Sequence, residues 1–454
     1  MDATAGTQEP GTEPDQLMIG DLQTLTEMAR SDRKLRFYSL MGMVFRIDGL
    51  RDSFDRQPAN KAVGVDGERK DAYGLHLEDR LADLSARLRR GGYRPKPSLR
   101  VYIPKANGGV RPLGIPSFED RIVQGRLSGI LQAIWEPEFR DCSFGFRPGR
   151  SAHDALRRVA EVVTNEGTQW IVEADIKGFF NHVCHDHLLR FLEHRISDPR
   201  LLDVVRRFLK GGVLDDGAFS ATEEGTPQGG LVSPVLSNIY LHYVLDWWFE
   251  VTFAKTCCDT ARLVRYADDF VACFRDEGDA RRFLAAMQER LGAFDLEVEP
   301  SKTQLLRFGS RAWLASKRRG GTRPATFSFL GLTHYVGSSR SGIFVVGRTT
   351  DGKRLRKKLK EFTQKLRKLR EIGGAAMTLF AQQHLRGHIN YYGVSGNFRA
   401  VTQYVWLVGK ALFKSLNRRS QRRSLTWDKW NQLLGKGLLP RPRIVHNLYP
   451  TRSR

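Results

Sequence analysis

The chain of 454 residues carries 73 Lys and Arg against 50 Asp and Glu, a formal charge of +23, and 41% of it is hydrophobic. That hydrophobic share supports packed cores over roughly two to four structural units and excludes a chain disordered throughout. The charge implies a polyanionic partner, nucleic acid before an anionic membrane. No apolar run approaches the roughly 20 residues of a spanning helix, and the N-terminus lacks a signal-peptide layout, so a cytoplasmic protein with no membrane partner is expected.

Residues 1–20 hold four acids and no Lys or Arg, which reads as a disordered acidic tail. Residues 21–95 alternate short helical patterns with turn signals such as Val65-Asp66-Gly67. Val101 to Ile103 predict a strand, and Asn107-Gly108-Gly109 a hairpin turn. Trp170 to Ile176 (WIVEADI) read as a buried strand. From Ser233, the stretch SPVLSNIYLHYVLDWWF has apolar residues at 235, 236, 239, 240, 243, 244, 247 and 248. That spacing predicts a helix with one broad buried face, started by Ser233 and Pro234. LVRYADDFVACF, from Leu263, predicts a hairpin with Asp268 and Asp269 at its turn. A helix is expected over about 279–294, followed by strands at FSFLGL and IFVV.

The character changes at Asp351. Residues 351–370 contain ten Lys or Arg and two acids, with leucines at 355, 359, 366 and 369. Helical patterning then continues to about residue 435, so a domain boundary is placed near 347–352. No internal repeat is seen. The fold class expected is α+β.

Asp268 and Asp269 repel one another and are costly to bury without a partner, although surface turns also hold Asp pairs innocently. Asp175, at the end of another apolar strand, tips the balance toward a cation site. Carboxylates at the ends of separate strands suit magnesium, which takes one or two of them together with substrate phosphates. Two such ions, roughly 3.5–4 Å apart, activate a 3′-hydroxyl and stabilise departing pyrophosphate. The five cysteines (142, 184, 257, 258 and 273) form no CxxC pair and read as reduced thiols. His182, His185 and His187 near Cys184 suggest zinc, but no second ligand pair is in view, so no such site is expected.

Several stretches together resemble one family. VYIPKANGGVRPLGIPSFEDRIVQ, CSFGFRPGRSAHDAL, VEADIKGFFNHV, GTPQGGLVSPVLSNIYL and LVRYADDFV are similar, in order, to blocks of group II intron reverse transcriptases. HLRGHINYYGVSGN and RRSQRRSLTWDKW resemble the maturase-specific region of that family. The resemblance runs from about residue 30 to the end, and YADD alone would be far less specific.

It implies a right-hand polymerase, with fingers and palm built on antiparallel sheet over 96–347, the fingers beginning within 21–95, and a helical thumb and maturase domain over 351–454. It implies catalytic roles for Asp175, Asp268 and Asp269 on two Mg2+ ions (or Mn2+), assisted by the backbone carbonyl of Ile176. Phe180 matches the steric gate against a ribose 2′-hydroxyl, and Gln228 the residue that contacts the incoming nucleotide. Lys105 and Arg111 match the basic clamp on its triphosphate, a role that suits Lys and bidentate Arg. Lys302 matches a lysine assisting pyrophosphate departure, and Phe329, Leu330 and Gly331 the turn that grips the primer end. Each has a bland alternative: Lys105 and Arg111 as solvated hairpin charges, Phe180 as plain core, Lys302 as an unrelated surface cation.

The chain departs from the family pattern at Asn181, where Asp is usual, and carries no Cys-rich HNH-like stretch after RPRIVHNLYP, so no nicking of a target strand is expected. The basic helix, including Arg354, Lys357 and Lys358, is expected to turn its leucines inward and track a template–primer backbone. Arg418, Arg419, Arg422 and Arg423, near Trp427 and Trp430, are expected to bind RNA by phosphate contact and stacking. The leading function is RNA-directed DNA synthesis from a DNA or RNA primer with dNTP, on an intron RNA template that the protein also binds to promote splicing and mobility. The alternatives are a splicing cofactor that only binds RNA, a reverse transcriptase of phage defence or CRISPR adaptation, and, less favoured, an RNA-directed RNA polymerase. Oligomeric state is not legible.

Overall fold

The computed structural model describes residues 22–104, 109–226, 229–319, 324–339, 341–418 and 425–449; the expected tail at 1–20 lies outside them. The strands in chain order are β1 (Ser98–Pro104), β2 (Val110–Ile115), β3 (Trp170–Asp175), β4 (Val213–Asp215), β5 (Ala218–Ser220) and β6 (Ala261–Tyr266). They continue with β7 (Asp269–Phe274), β8 (Gln304–Arg307), β9 (Phe327–Phe329), β10 (Leu332–Ser338) and β11 (Phe344–Thr350). The fold is mixed α+β, with several sheets and C-terminal helices. The chain divides into two compact units, one of Met1–Pro148, Ile176–Phe249 and Gln288–Val298, the other of Gly149–Asp175, Glu250–Met287 and Glu299–Arg454. Among the described residues no helix is long and apolar enough to cross a membrane.

The first unit is built on the helix Phe118–Trp135, which buries Ile122, Val123, Leu127, Ile130, Leu131 and Ile134. Ser117 starts it by accepting from the Asp120 N–H, satisfying one of the orphan donors of a helix end. Apolar residues lie all round it because helices Leu22–Ser31, Ile47–Asp55 and Ser233–Leu241 pack against it. Each fully buried Leu or Ile contributes about 2 kcal/mol. Even its polar residues are satisfied inward: Arg126 donates from Nε to the Met43 carbonyl at 2.9 Å.

The sheet of this unit has the order β2-β1-β4-β5. β1 and β2 form the expected hairpin, with Ile103 opposite Arg111; its turn at 105–108 is outside the described residues. The sheet is not wholly antiparallel, as was expected, because β1 pairs with β4 in parallel through Ser98–Val213 and Leu99–Leu214.

The helix at Ser233 departs from its expected face. It is α-helical only to Leu241 and continues as π-helical turns over His242–Asp246 and Trp248–Phe253. The wider turns rotate the buried stripe onto Leu241, Val244, Leu245 and Phe249, leaving Trp247 exposed and Tyr243 and Trp248 half-buried.

The second unit contains an antiparallel sheet of order β6-β7-β3-β8 and a three-stranded sheet of order β11-β10-β9. Helix Ala152–Asn165, started by a Ser151/Asp154 capping box, contacts β6 and β11. Helices Gly352–Lys368, Gly374–Tyr392, Phe398–Asn417 and Trp427–Gly435 share a core of Phe362, Leu366, Met377, Leu385, Tyr404, Leu412 and Trp430. Leu355, Leu359 and Leu369 pack on its edge, so the leucine stripe of the basic helix faces inward as its spacing predicts.

Candidate active site

In β3, Ile171, Val172 and Ala174 are buried while Glu173 and Asp175 are half-buried. Period-two alternation puts those two acids on one face at the strand end. β6 and β7 meet at a two-residue turn, Ala267-Asp268, with Ala267 at φ 57°, the left-handed region that tight hairpins demand. Asp269 is therefore the first residue of β7 rather than part of the turn, and its register partner on β3 is Asp175. Asp268 is half-buried at the turn itself. All three acids belong to the second unit.

Their electrostatics follow from this crowding. Burial pushes the Asp269 carboxyl up to about 7, with Asp175 and Asp268 pushing the same way, while the Leu330 N–H and Arg354 pull it back. Lys302 sits in the helical turn Pro300–Lys302, which is tied to β3 by the Glu299 N–H donating to the Asp175 carbonyl at 2.8 Å. Its ammonium contacts an Asp175 carboxylate oxygen, and that bond holds the lysine above its ordinary pKa. Asp175 and Asp268 both push the Asp269 carboxyl up, and neighbouring carboxylates of this kind suit a hard divalent cation by their donor chemistry.

Phe329, Leu330 and Gly331 form the turn from β9 to β10, with Leu330 at φ 51° and Gly331 at φ 79°. Two acids hold this turn. The Ser328 N–H donates to Glu173 Oε1 at 3.1 Å and the Leu330 N–H to Asp269 Oδ2 at 3.4 Å. Sequence reasoning did not single out Glu173; its position two residues before Asp175, on the same strand face, was the available signal. Burial raises its carboxyl above the ordinary range.

In the first unit, Phe180 is half-buried in the short 3-10 turn Phe179–Asn181. Its carbonyl accepts from the Thr226 N–H at 2.7 Å. Gly225, at φ 84°, lies so close that a Cβ there would be 2.8 Å from that same oxygen. Phe180 lines a cavity of about 390 Å³ together with Arg100, Pro112, Gly114, Val213 and residues 220–226. Arg111 is exposed on β2, and Ile176 is buried and bridges to Val298. Gly229, after Gln228, approaches β2 at Gly114. Lys105 and Gln228 lie outside the described residues.

Arg354 is exposed on the basic helix, and Lys357 pairs with Glu361 at 3.4 Å. Lys358 departs from the outward pattern: its ammonium lies 3.4 Å from His388 Nδ1 and over the Tyr392 ring. Arg418 is exposed, whereas Arg419, Arg422 and Arg423 are outside the described residues. Of the nearby tryptophans, Trp430 is core and Trp427 is half exposed, stacked on Phe413 at 4.0 Å. In the first unit, ligand atoms of Cys184, His187 and Asp295 lie within 4.8 Å of one another. The 3.7 Å approach of His187 to Asp295 accounts for part of that grouping.

Residues 103–334 match the family model for reverse transcriptase (RNA-dependent DNA polymerase). The chain is 39% identical over 287 residues to Protein YkfC of Escherichia coli strain K12, which covers 56% of this chain and 75% of that protein. It is 38% identical over 207 residues to the group II intron-encoded protein LtrA of Lactococcus lactis subsp. cremoris, covering 45% of this chain and 34% of LtrA. It is 46% identical over 155 residues to a 91 kDa protein in the cob intron of Schizosaccharomyces pombe, covering 34% of this chain and 19% of that protein.

Proposed function

The chain belongs to the reverse transcriptase (RNA-dependent DNA polymerase) family, and on that footing we propose that Asp175, Asp268 and Asp269 hold the two magnesium ions of its nucleotidyl transfer, with manganese able to replace them. The observation that carries this reading is the register of β3 with β7, which sets Asp175 opposite Asp269 beside the Asp268 turn. The ions, when bound, supply Lewis-acid activation of the primer 3′-hydroxyl and charge neutralisation at the departing pyrophosphate. The protein's part is to hold the acids in place before substrate arrives. The ammonium of Lys302, now on Asp175, is a mobile proton donor suited to the pyrophosphate oxygens once the carboxylate is engaged elsewhere. The carbonyl of Ile176 completes the ligand set.

Phe180, braced from behind by Gly225 and Thr226, acts as the gate that rejects a 2′-hydroxyl. Lys105, Arg111 and Gln228 hold the incoming dNTP, and Phe329, Leu330 and Gly331 seat the primer end. The architecture we infer is a right hand, with fingers and palm over 96–347 and a thumb and maturase domain over 351–454. Arg354, Lys357 and the arginines at 418, 419, 422 and 423 serve RNA there, whereas Lys358, turned onto His388 and Tyr392, does not. The template is the protein's own intron RNA, a reading supported by the similarity to LtrA, which is named as a group II intron-encoded protein, and the same chain promotes splicing and mobility.

Primer extension on an RNA template with dNTP and magnesium tests the polymerase assignment. Wild type extends the primer and Asp268→Ala does not. A wild type that fails to extend, or an Asp268→Ala variant that extends normally, overturns it. A splicing assay tests the intron role: Asp268→Ala retains splicing, and failure of wild type to promote splicing removes that role.

A further inference from the structure

Leu330 stands in an unfavourable backbone conformation and is held there from two sides. At φ 51° it occupies the left-handed region, which costs a residue with a side chain about 1–2 kcal/mol. Its N–H donates to Asp269 Oδ2 at 3.4 Å, and its carbonyl accepts from the Tyr391 hydroxyl at 3.0 Å. The two peptide groups flank one Cα, so relaxing Leu330 toward the extended region would swing its N–H away from the acid. Gly331 follows at φ 79°, and a Cβ there would lie 2.9 Å from the Arg354 guanidinium and 3.1 Å from the Tyr392 hydroxyl. The turn is thus backed by side chains of two of the C-terminal helices. Tyr391 is well placed to hold it. Its helix, Gly374–Tyr392, is set in the core by Met377, Ala381, Leu385 and Ile389. Burial pushes its phenol up to about 12, so the hydroxyl remains a donor across the working pH range.

We propose that Tyr391 is a positioning residue for the Asp269 carboxylate, acting through the strained Leu330 peptide, so that seating of helix Gly374–Tyr392 is coupled to the geometry of the metal-binding acids. This rests on Asp269 belonging to the metal site.

The test is Tyr391→Phe in the full chain. It removes one hydrogen bond, whose usual worth corresponds to about a fivefold to tenfold effect. We expect kcat to fall by about that factor and the magnesium concentration for half-maximal rate to rise severalfold. KM for dNTP and Kd for an RNA–DNA duplex should stay within about twofold, a split that a merely structural loss would not give. Placing para-aminophenylalanine at 391 restores a donor and returns kcat and the magnesium dependence to near wild type. An unchanged kcat and magnesium dependence in Tyr391→Phe overturns the relay, as does failure of para-aminophenylalanine to rescue a folded protein. Wild-type activity in Asp269→Asn overturns the metal-site assignment instead, and the relay falls with it.

Discussion

Asp175 and Asp269 are register partners across the pairing of β3 with β7. Directly opposed residues on a sheet put their Cβ atoms roughly 4.5–5.5 Å apart on one face, and like charges so placed are destabilising. At an effective dielectric of about 20 their repulsion is on the order of 3 kcal/mol. Lys302 offsets part of that repulsion from the Asp175 side, and a bound cation would offset the rest. Asp175→Asn and Asp268→Ala should each lower the primer-extension rate by roughly 10³-fold or more, the scale on which preorganised transition-state stabilisers act, with duplex affinity nearly unchanged. Single-turnover extension and a filter-binding titration measure the two quantities.

The same repulsion predicts a gain in stability when one charge is removed. Burial opposes the ionisation of Asp269, and the neighbouring acids oppose it further. Asp269→Asn keeps an acceptor for the Leu330 N–H and deletes the charge. In chelator its melting temperature should exceed wild type by about 2–4 °C, equivalent to roughly 1 kcal/mol for a unit of this size. Added magnesium should stabilise wild type and leave the variant nearly unmoved, closing the gap. A variant less stable than wild type in chelator would show that Asp269 is held for packing rather than for a cation.

What the residues revealed in advance was local. The WIVEADI strand, the YADD hairpin and the leucine stripe at 355, 359, 366 and 369 each carry their period in a single stretch, and each formed, although Asp269 heads β7 instead of sitting in the turn. The parallel pairing of β1 with β4 joins residues more than a hundred positions apart, which no periodicity records. The π-helical turns after Leu241 were hidden because one extra residue per turn changes the buried face without changing composition. Glu173 was legible from its place two before Asp175. Tyr391 was not, because its role depends on a turn 61 positions earlier.

Phe180 is held as a rigid wall rather than a loose ring. Its backbone is fixed by Thr226, and its ring meets Phe179 edge-on at 5.4 Å. A wall that excludes a hydroxyl by shape is lost when the ring is removed. Phe180→Ala should raise the rate of ribonucleotide incorporation relative to deoxyribonucleotide by about tenfold or more. The deoxyribonucleotide rate should fall only a few-fold. Matched single-nucleotide extensions with rNTP and dNTP decide it, and an unaltered ratio would return Phe180 to the core.

The last prediction concerns acid stability of the C-terminal helices. His388 is buried at 1% exposure, stacked on Tyr404 at 3.9 Å, with Lys358 beside its Nδ1 and, among the described residues, no partner for Nε2. Burial, then the Lys358 charge and the His384 ring, push its pKa from 6.5 down to about 3; His384 is pushed to about 4, again by burial first. The folded state therefore binds fewer protons than the unfolded state between about pH 3 and 6.5, so stability rises with pH across that window and is lost as pH falls below 6.5. At pH 5 the loss from His388 alone is on the order of 2 kcal/mol. His388→Gln keeps an acceptor for Lys358 and cannot be protonated. Circular-dichroism melts at pH 7.5 and pH 5 should show wild type losing several degrees more than the variant over that interval. Equal losses would mean that protonation of His388 does not drive the acid transition.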